Sequence, residues 1–230
     1  VQSIRYESEK YGPSNYSIYM NKDYGNVKGY TFSLTKRYDP VSKTSAFVDY
    51  TYQVTEGNSV TSGSFYYNAL SGEQEEKRIV PLAWDQRHIL NTNVSVGDPR
   101  NWNLGIISKL SSGWPYTPNI PDANYVPQPN SGRKPWQWRV DMRLHKNFKV
   151  GKLNYLVFMK VYNLLDRRNE RYVFNDTGRA GYTYVFQSTQ ETQGFKNHYG
   201  EPGVHEWSEY QVRPHYYTAP RSIHVGFSVD

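Results

Sequence analysis

The residues that could do chemistry in this chain fall into a few groups, and none has the spacing of a reaction centre. Six histidines, His88, His145, His198, His205, His215 and His224, show no metal-ligand spacing. His198 and His205 share a stretch with Glu201, Glu206 and Glu209, which reads as a solvated loop. There is no G-x-S-x-G elbow, no H-E-x-x-H pair and no phosphate-cradling glycine loop. Carboxylate pairs can be drawn from any set of 21 acidic residues, so none points to hydrolysis. Cysteine is absent, which removes disulfides, thiolate metal sites and sulfur nucleophiles. The expectation is a protein that is not an enzyme, with no cofactor and no metal.

Two other groups remain. The first is charge at every second position: Asp85 and Arg87 in "WDQRH", then Arg139, Asp141 and Arg143 in "RVDMRLHKNF". Such side chains need water or one another, and pairing among themselves is the leading reading. The second is a ring-rich stretch between Arg167 and Ala219, where Tyr182, Tyr184, Phe186, Trp207 and Tyr210 stand among polar residues. Exposed rings there would stack on sugars, peptides or aromatic chelates; equally, they would pack on one another. "YTYVFQST" (Tyr182 to Thr189) suggests a hairpin arm. Lys and Arg are scattered and the net charge is only +6, so nucleic acid is not an expected partner.

The elements that carry these residues read as strands. Helix signals are nearly absent, and apolar residues recur at period two. Tyr30, Phe32, Leu34 and Tyr38 alternate with polar neighbours, with Lys36 in the apolar row. Ala46, Val48, Tyr50, Tyr52 and Val54 follow, Phe47 being the misfit. From Trp84 to Val96 the pattern is blurred at first, with Gln86 and His88 on the face that later carries Leu90, Val94 and Val96. Trp102, Leu104, Ile106 and Leu110 make the next run. Trp136, Trp138, Val140, Met142, Leu144, Phe148 and Val150 make another, broken only by Lys146. Leu153 to Val161 and Ile223 to Val229 complete the set. Short turns stand at Asp39–Thr44, Gly97–Asn101 and Gly151–Lys152.

Alternation alone fits a soluble sheet with one buried face equally well. Three further features favour an all-β, antiparallel transmembrane β-barrel. Short connections alternate with long ones of about 20 to 50 residues, as in barrels with short turns at one rim and long loops at the other. The strands run to about 10 to 14 residues, against the usual soluble length of about 5 to 6. Trp84, Trp102, Trp136, Trp138 and Tyr38 fall near strand ends, where an aromatic girdle meets headgroups. Hydrophobic residues make up 37 % of the chain and aromatics 16 %, poor in aliphatic core material. The longest apolar run, Tyr155 to Met159, is far too short for a membrane helix. Apolar stripes would then face lipid, and Asp85, Arg87, Arg139, Asp141 and Arg143 a wet lumen.

Several phrases, in order, carry a family resemblance: "YMNKDYGNVKGYTFSLTKR", "WDQRH", "SSGWPYTP", "RVDMRLHKNF", "VYNLLDRRN" and "PRSIHVGFS". Together they resemble the C-terminal part of a TonB-dependent receptor of the bacterial outer membrane, of the Bacteroidetes-like kind. The resemblance implies a barrel of about 22 strands, of which residues 1–230 supply roughly the last seven or eight. It implies periplasmic short turns, extracellular long loops, and outer-membrane lipid around the wall. It also implies uptake of a small-molecule (a siderophore, for example), glycan or peptide nutrient, driven by the TonB complex through a plug domain that this chain does not contain. The chain starts at Val1 without a methionine and so reads as a fragment or processed product of something longer; it stops at Asp230 without the family's terminal aromatic, so either residues are missing there or the assembly signal is atypical. Two alternatives stay open: a structural or adhesive barrel without active transport, and a secreted carbohydrate-binding β-sandwich.

Overall fold

The computed structural model describes residues 2–8, 12–18, 24–58, 78–119, 127–184 and 213–229. Strands β1 (Gln2–Ser8) and β2 (Gly12–Ile18) pair as a separate antiparallel hairpin. They are followed by β3 (Gly25–Asp39), β4 (Thr44–Gly57), β5 (Val80–Pro81), β6 (His88–Asp98) and β7 (Trp102–Ser111). Next come β8 (Pro115–Tyr116), β9 (Gly132–Arg133), β10 (Gln137–Val150), β11 (Leu153–Tyr162) and β12 (Ser222–Val229). The described residues contain no α-helix, only a 3-10 turn at Pro214–Tyr216. No helix among them is long and apolar enough to cross a membrane.

Seven long strands form one antiparallel sheet in the order β3-β4-β6-β7-β10-β11-β12, with β5 pairing the end of β4. β8 and β9 pair separately. Consecutive long strands are neighbours throughout, so all the short turns fall at one rim and all the long connections at the other. Local chemistry makes the turns. Asp39 accepts the N–H groups of Val41 and Ser42, 3.0 and 3.1 Å away, and Asp98 accepts that of Arg100 at 3.0 Å. Gly151 sits at φ +62°, a conformation that a glycine enters without strain, and lets two residues join β10 to β11.

Register sorts the side chains into two faces, because successive residues of a strand point opposite ways. One row reads Leu34–Val48–Thr92–Ser108–Val140, and the next Lys36–Ala46–Val94–Ile106–Met142–Val161–Ile223. A third joins Val96, Leu104, Leu144, Met159 and Val225. These make one face apolar across all seven strands. The other face carries Ser33–Asp49–Asn91–Lys109–Arg139 and Ser95–Gly105–Arg143–Lys160–His224. Phe47 stands there beside Asn93, which explains the break in its strand's alternation.

The rows do not run level with the rims. Lys36 is three residues from the short-turn end of β3, whereas Val161, in the same row, is eight from that of β11. The sheet therefore staggers by about one residue per strand over five strand-to-strand steps.

Neither face has a covering layer among the described residues, and the strands that touch are hydrogen-bonded neighbours. On the apolar face Phe32 is 62 % exposed, Val225 71 % and Phe227 77 %, and Trp138 is also exposed. Met142, Leu144 and Tyr50 are half-buried, by their own sheet neighbours. Among the described residues the buried apolar side chains amount to Val80, Val140, Val161 and Ala180. No second sheet among the described residues lies over this face, as it would in a soluble sandwich. The sheet is open among the described residues, with β3 and β12 as its two unpaired edges.

Two boundaries differ from the alternation. Residues 84–87 are not strand, because Asp85 turns into the protein and the ladder begins only at His88. Trp136 precedes β10, although its ring still stacks on His88 at 5.6 Å.

Candidate functional site

The rim of the long connections is held by two buried polar nodes. In the first, the Asp85 N–H donates to the Leu82 carbonyl (2.8 Å), closing a turn that drives the carboxylate inward. One carboxylate oxygen accepts the Thr55 N–H at 2.9 Å. The other pairs with Arg133 and, at 3.4 Å, with Arg87. Arg133 also donates to the Asp85 carbonyl. Asp85 is 0 % exposed, so it does not face a lumen as the alternation had suggested. A carboxylate buried this deeply is stable only with its charge answered, and two guanidinium groups answer it. Gln86 donates to the Ser112 carbonyl at 2.9 Å, and Ser112 Oγ accepts the His88 N–H at 3.0 Å. "WDQRH" thus ties β4, the 112–118 segment and β9 together.

Gly113 lies where the chain leaves β7. A Cβ at that position would overlap the Lys134 carbonyl, so glycine permits the close approach. Burial pushes the Lys134 ammonium below its ordinary value of 10.5, and its Nζ donates to the Arg171 carbonyl at 3.0 Å.

The second node is "VYNLLDRRN". Asn163, at φ +53°, donates its amide to the carbonyls of Arg167 (3.1 Å) and Ala219 (3.0 Å) and accepts the Arg167 N–H at 3.1 Å. Its own N–H reaches Asp141 at 2.8 Å. Asn169 clamps both main-chain groups of Trp138 at 2.9 Å each. Glu170 binds Arg179 at 2.8 and 3.0 Å and the Ala180 N–H at 2.6 Å. The hydrogen bonds and charge of Glu170 push Arg179 above its ordinary value.

The strand charges divide. Arg139 and Asp141 pair at 2.9 Å on the polar face, as expected of wall charges that satisfy each other. Arg143 stands directly opposite Lys160, and neither has a carboxylate partner among the described residues. They border a groove of about 420 Å³ on the polar face, opened by the missing side chain of Gly105 and lined also by Asn93, Ser95 and Tyr162. Sequence reading singled out Arg143 but missed Lys160. The signal was available: a two-residue turn at Gly151–Lys152 fixes the register that sets residue 160 against residue 143.

Of the loop aromatics, Tyr182 and Tyr184 are exposed, their rings 5.7 Å apart edge to face. Neither lies in a strand. Phe186, Trp207 and Tyr210, and the rest of the suggested hairpin arm, lie outside the described residues. Tyr172 and Phe174 pack on Tyr216, so part of that stretch uses its rings for its own structure. No cluster of three metal-ligating side chains occurs among the described residues.

The geometry offers a polar, hydrogen-bonding wall on which Arg143 and Lys160 face each other without a carboxylate partner among the described residues. No family model, curated protein or solved structure matches the chain.

Proposed function

We propose that this chain is wall and loop of a transmembrane β-barrel in the bacterial outer membrane, the C-terminal portion of a TonB-dependent receptor that imports a nutrient. The observation that carries the reading is the uncovered apolar face running across seven strands, backed by a polar one. Dissolved in water, such a face would be an aggregation surface far beyond the few hundred Å² that soluble monomers expose. Facing hydrocarbon, it costs nothing, and the backbone groups are satisfied within the sheet.

Two magnitudes, and the placement of rings and charges, agree with a bilayer. A stagger of one residue (about 3.3 Å) per strand spacing (about 4.8 Å) tilts the strands by about 35°, inside the range of closed barrels. Along β6 the apolar parity runs from His88 to Val96. Eight steps at that tilt span about 22 Å of membrane normal, near the roughly 25 Å apolar band of such barrels. Aromatics mark both limits. Rings of Tyr30, Tyr52, His88 and Trp136 follow one another at 5.4, 5.1 and 5.6 Å below the long-connection rim. Trp102 and the stacked pair Phe148–Tyr155 stand at the other limit. Charges of apolar-face parity keep to the ends, Lys28 and Glu56 at one and Lys36, Asp98 and Lys146 at the other.

The unpaired edges β3 and β12 are the strands through which further strands of the same barrel would close it, since an open edge in lipid leaves its backbone groups unsatisfied. In this scheme the long connections and the Arg143–Lys160 groove meet the solute. The TonB complex supplies the driving force through a plug that is not in this chain.

The test uses the intact protein in cells and purified membranes. The expected result is recovery with the outer membrane, migration on gels that shifts on heating, and nutrient uptake that stops when TonB is removed. Recovery as a soluble protein without a heat shift would overturn the membrane reading. A heat-shifting protein whose loss leaves uptake of the cell's nutrients unchanged would leave a barrel but not a transporter.

A further inference from the structure

We infer that the short-turn rim is a binding surface for the phosphate headgroups of anionic phospholipid, with phosphatidylglycerol as the defining ligand. The inference rests on the membrane reading above and goes beyond it. Seven cations stand at that rim: Lys36, Arg37, Lys43, Arg100, Lys146, Lys149 and Lys152, all exposed. The acids described there are Asp39 and Asp98, and each is engaged in capping its own turn. No ion pair joins described residues at this rim. The rim's excess of five positive charges is most of the chain's net +6.

Placement argues for lipid rather than a general solvated fringe. Lys36 and Lys146 occupy the apolar parity, where a strand facing hydrocarbon would not carry charge. Both are bent back to neutral acceptors of the turns. Lys36 Nζ donates to Ser42 (3.2 Å) and Thr44 (2.5 Å), and Lys146 Nζ donates to Asn101 Oδ1 (2.5 Å). Neutral acceptors orient an ammonium without cancelling its charge, so both remain available to phosphate while their stems lie along the apolar face, with Lys36 also within electrostatic reach of the Asp39 carboxylate. The turns themselves are linked. Gly97 N–H donates to the Lys43 carbonyl at 2.8 Å and Asn147 N–H to the Asn101 carbonyl at 2.6 Å, fixing Lys43, Arg100 and Lys146 along one ridge. Trp102, Phe148 and Tyr155 lie beside them at glycerol depth. A ridge of oriented cations over an aromatic shelf matches an anionic headgroup above its acyl chains.

The test takes the intact protein in non-ionic detergent and equilibrates it with equal amounts of phosphatidylglycerol and phosphatidylethanolamine. The protein is then re-isolated and its retained lipid counted by mass. Retention should favour phosphatidylglycerol. The turn-tip variant Lys43→Gln/Arg100→Gln/Lys152→Gln should lose about tenfold or more of that preference, since each cation near an anionic surface contributes about fivefold. A variant of equal charge loss at the opposite rim, Arg168→Gln/Arg171→Gln/Arg221→Gln, should keep it. No preference, equal loss in both variants, or displacement of lipid by equimolar inorganic phosphate would each overturn the inference. Those results with the heat shift intact sink the headgroup site alone; a protein without a heat shift sinks the membrane reading, and this inference with it.

Discussion

The two rims of the sheet use charge in opposite ways. At the long connections, Asp85, Arg87 and Arg133 answer one another, as do Arg139 with Asp141 and Glu170 with Arg179. Asn163 and Asn169 saturate main-chain groups that loops of this length would otherwise leave open. At the short turns, two aspartates are spent on local caps, Lys36 and Lys146 bend back to neutral acceptors, and no ion pair forms among the described residues. Short turns close on their own hydrogen bonds, so their side chains are free for an external partner. Long connections have no ladder and must be held by buried side-chain nodes.

Breaking a node should therefore do most damage, and only at one rim. Asp85→Ala leaves the Thr55 N–H without its acceptor and strips Arg133 and Arg87 of their carboxylate, at a cost of about 3–5 kcal/mol. Proteolysis of the intact protein in membranes should show newly cleaved long connections while the heat-shifting strand region survives. Between the rims, Leu144→Arg places a charge on the apolar face and should lower stability in lipid by about 2–4 kcal/mol. Ile107→Arg, on the polar face, should be nearly neutral. Denaturant titration of both variants in vesicles separates the faces, and equal costs would erase the distinction between them. At the second node, Asn163→Ala removes a side chain bonded to three main-chain groups and places alanine at positive φ, costing about 2–3 kcal/mol. Its readout is the same proteolysis.

The smallest effect concerns pH. Lys134 has its proton affinity lowered by burial. Between that lowered pKa and 10.5, the unfolded chain holds a proton that the folded one does not, so stability rises with pH through this window. Lys134→Met should flatten that rise in melting temperature measured as pH approaches 10.5, whereas Lys152→Met at the other rim should not.

These two rims were also unequally legible in the sequence. The turns at Asp39–Thr44, Gly97–Asn101 and Gly151–Lys152, and the apolar rows they set in register, follow from local residue types and period-two spacing. The separation into an apolar and a polar face, and the mutual pairing of Arg139 with Asp141, followed as well. The site of Asp85 did not. Its alternation with Arg87 mimics a strand, but its inward turn depends on Arg133 and Thr55, 48 and 30 residues away in the chain. Lys160 was missed for a similar reason, since its importance lies in what stands across the ladder from it. Local rules fix what neighbours in sequence decide, and charges buried by distant partners escape them.

The central claim is that the sheet divides hydrocarbon from water. Its most direct test is spin labelling of the intact protein in lipid vesicles, with labels placed singly at Val48, Ile106, Leu144 and Val225 and at Asn93, Gly105 and Asn103. The first set should collide preferentially with oxygen dissolved in hydrocarbon and the second with a water-soluble nickel chelate. Equal water access on both faces, or burial of the first set from both reagents, would contradict it.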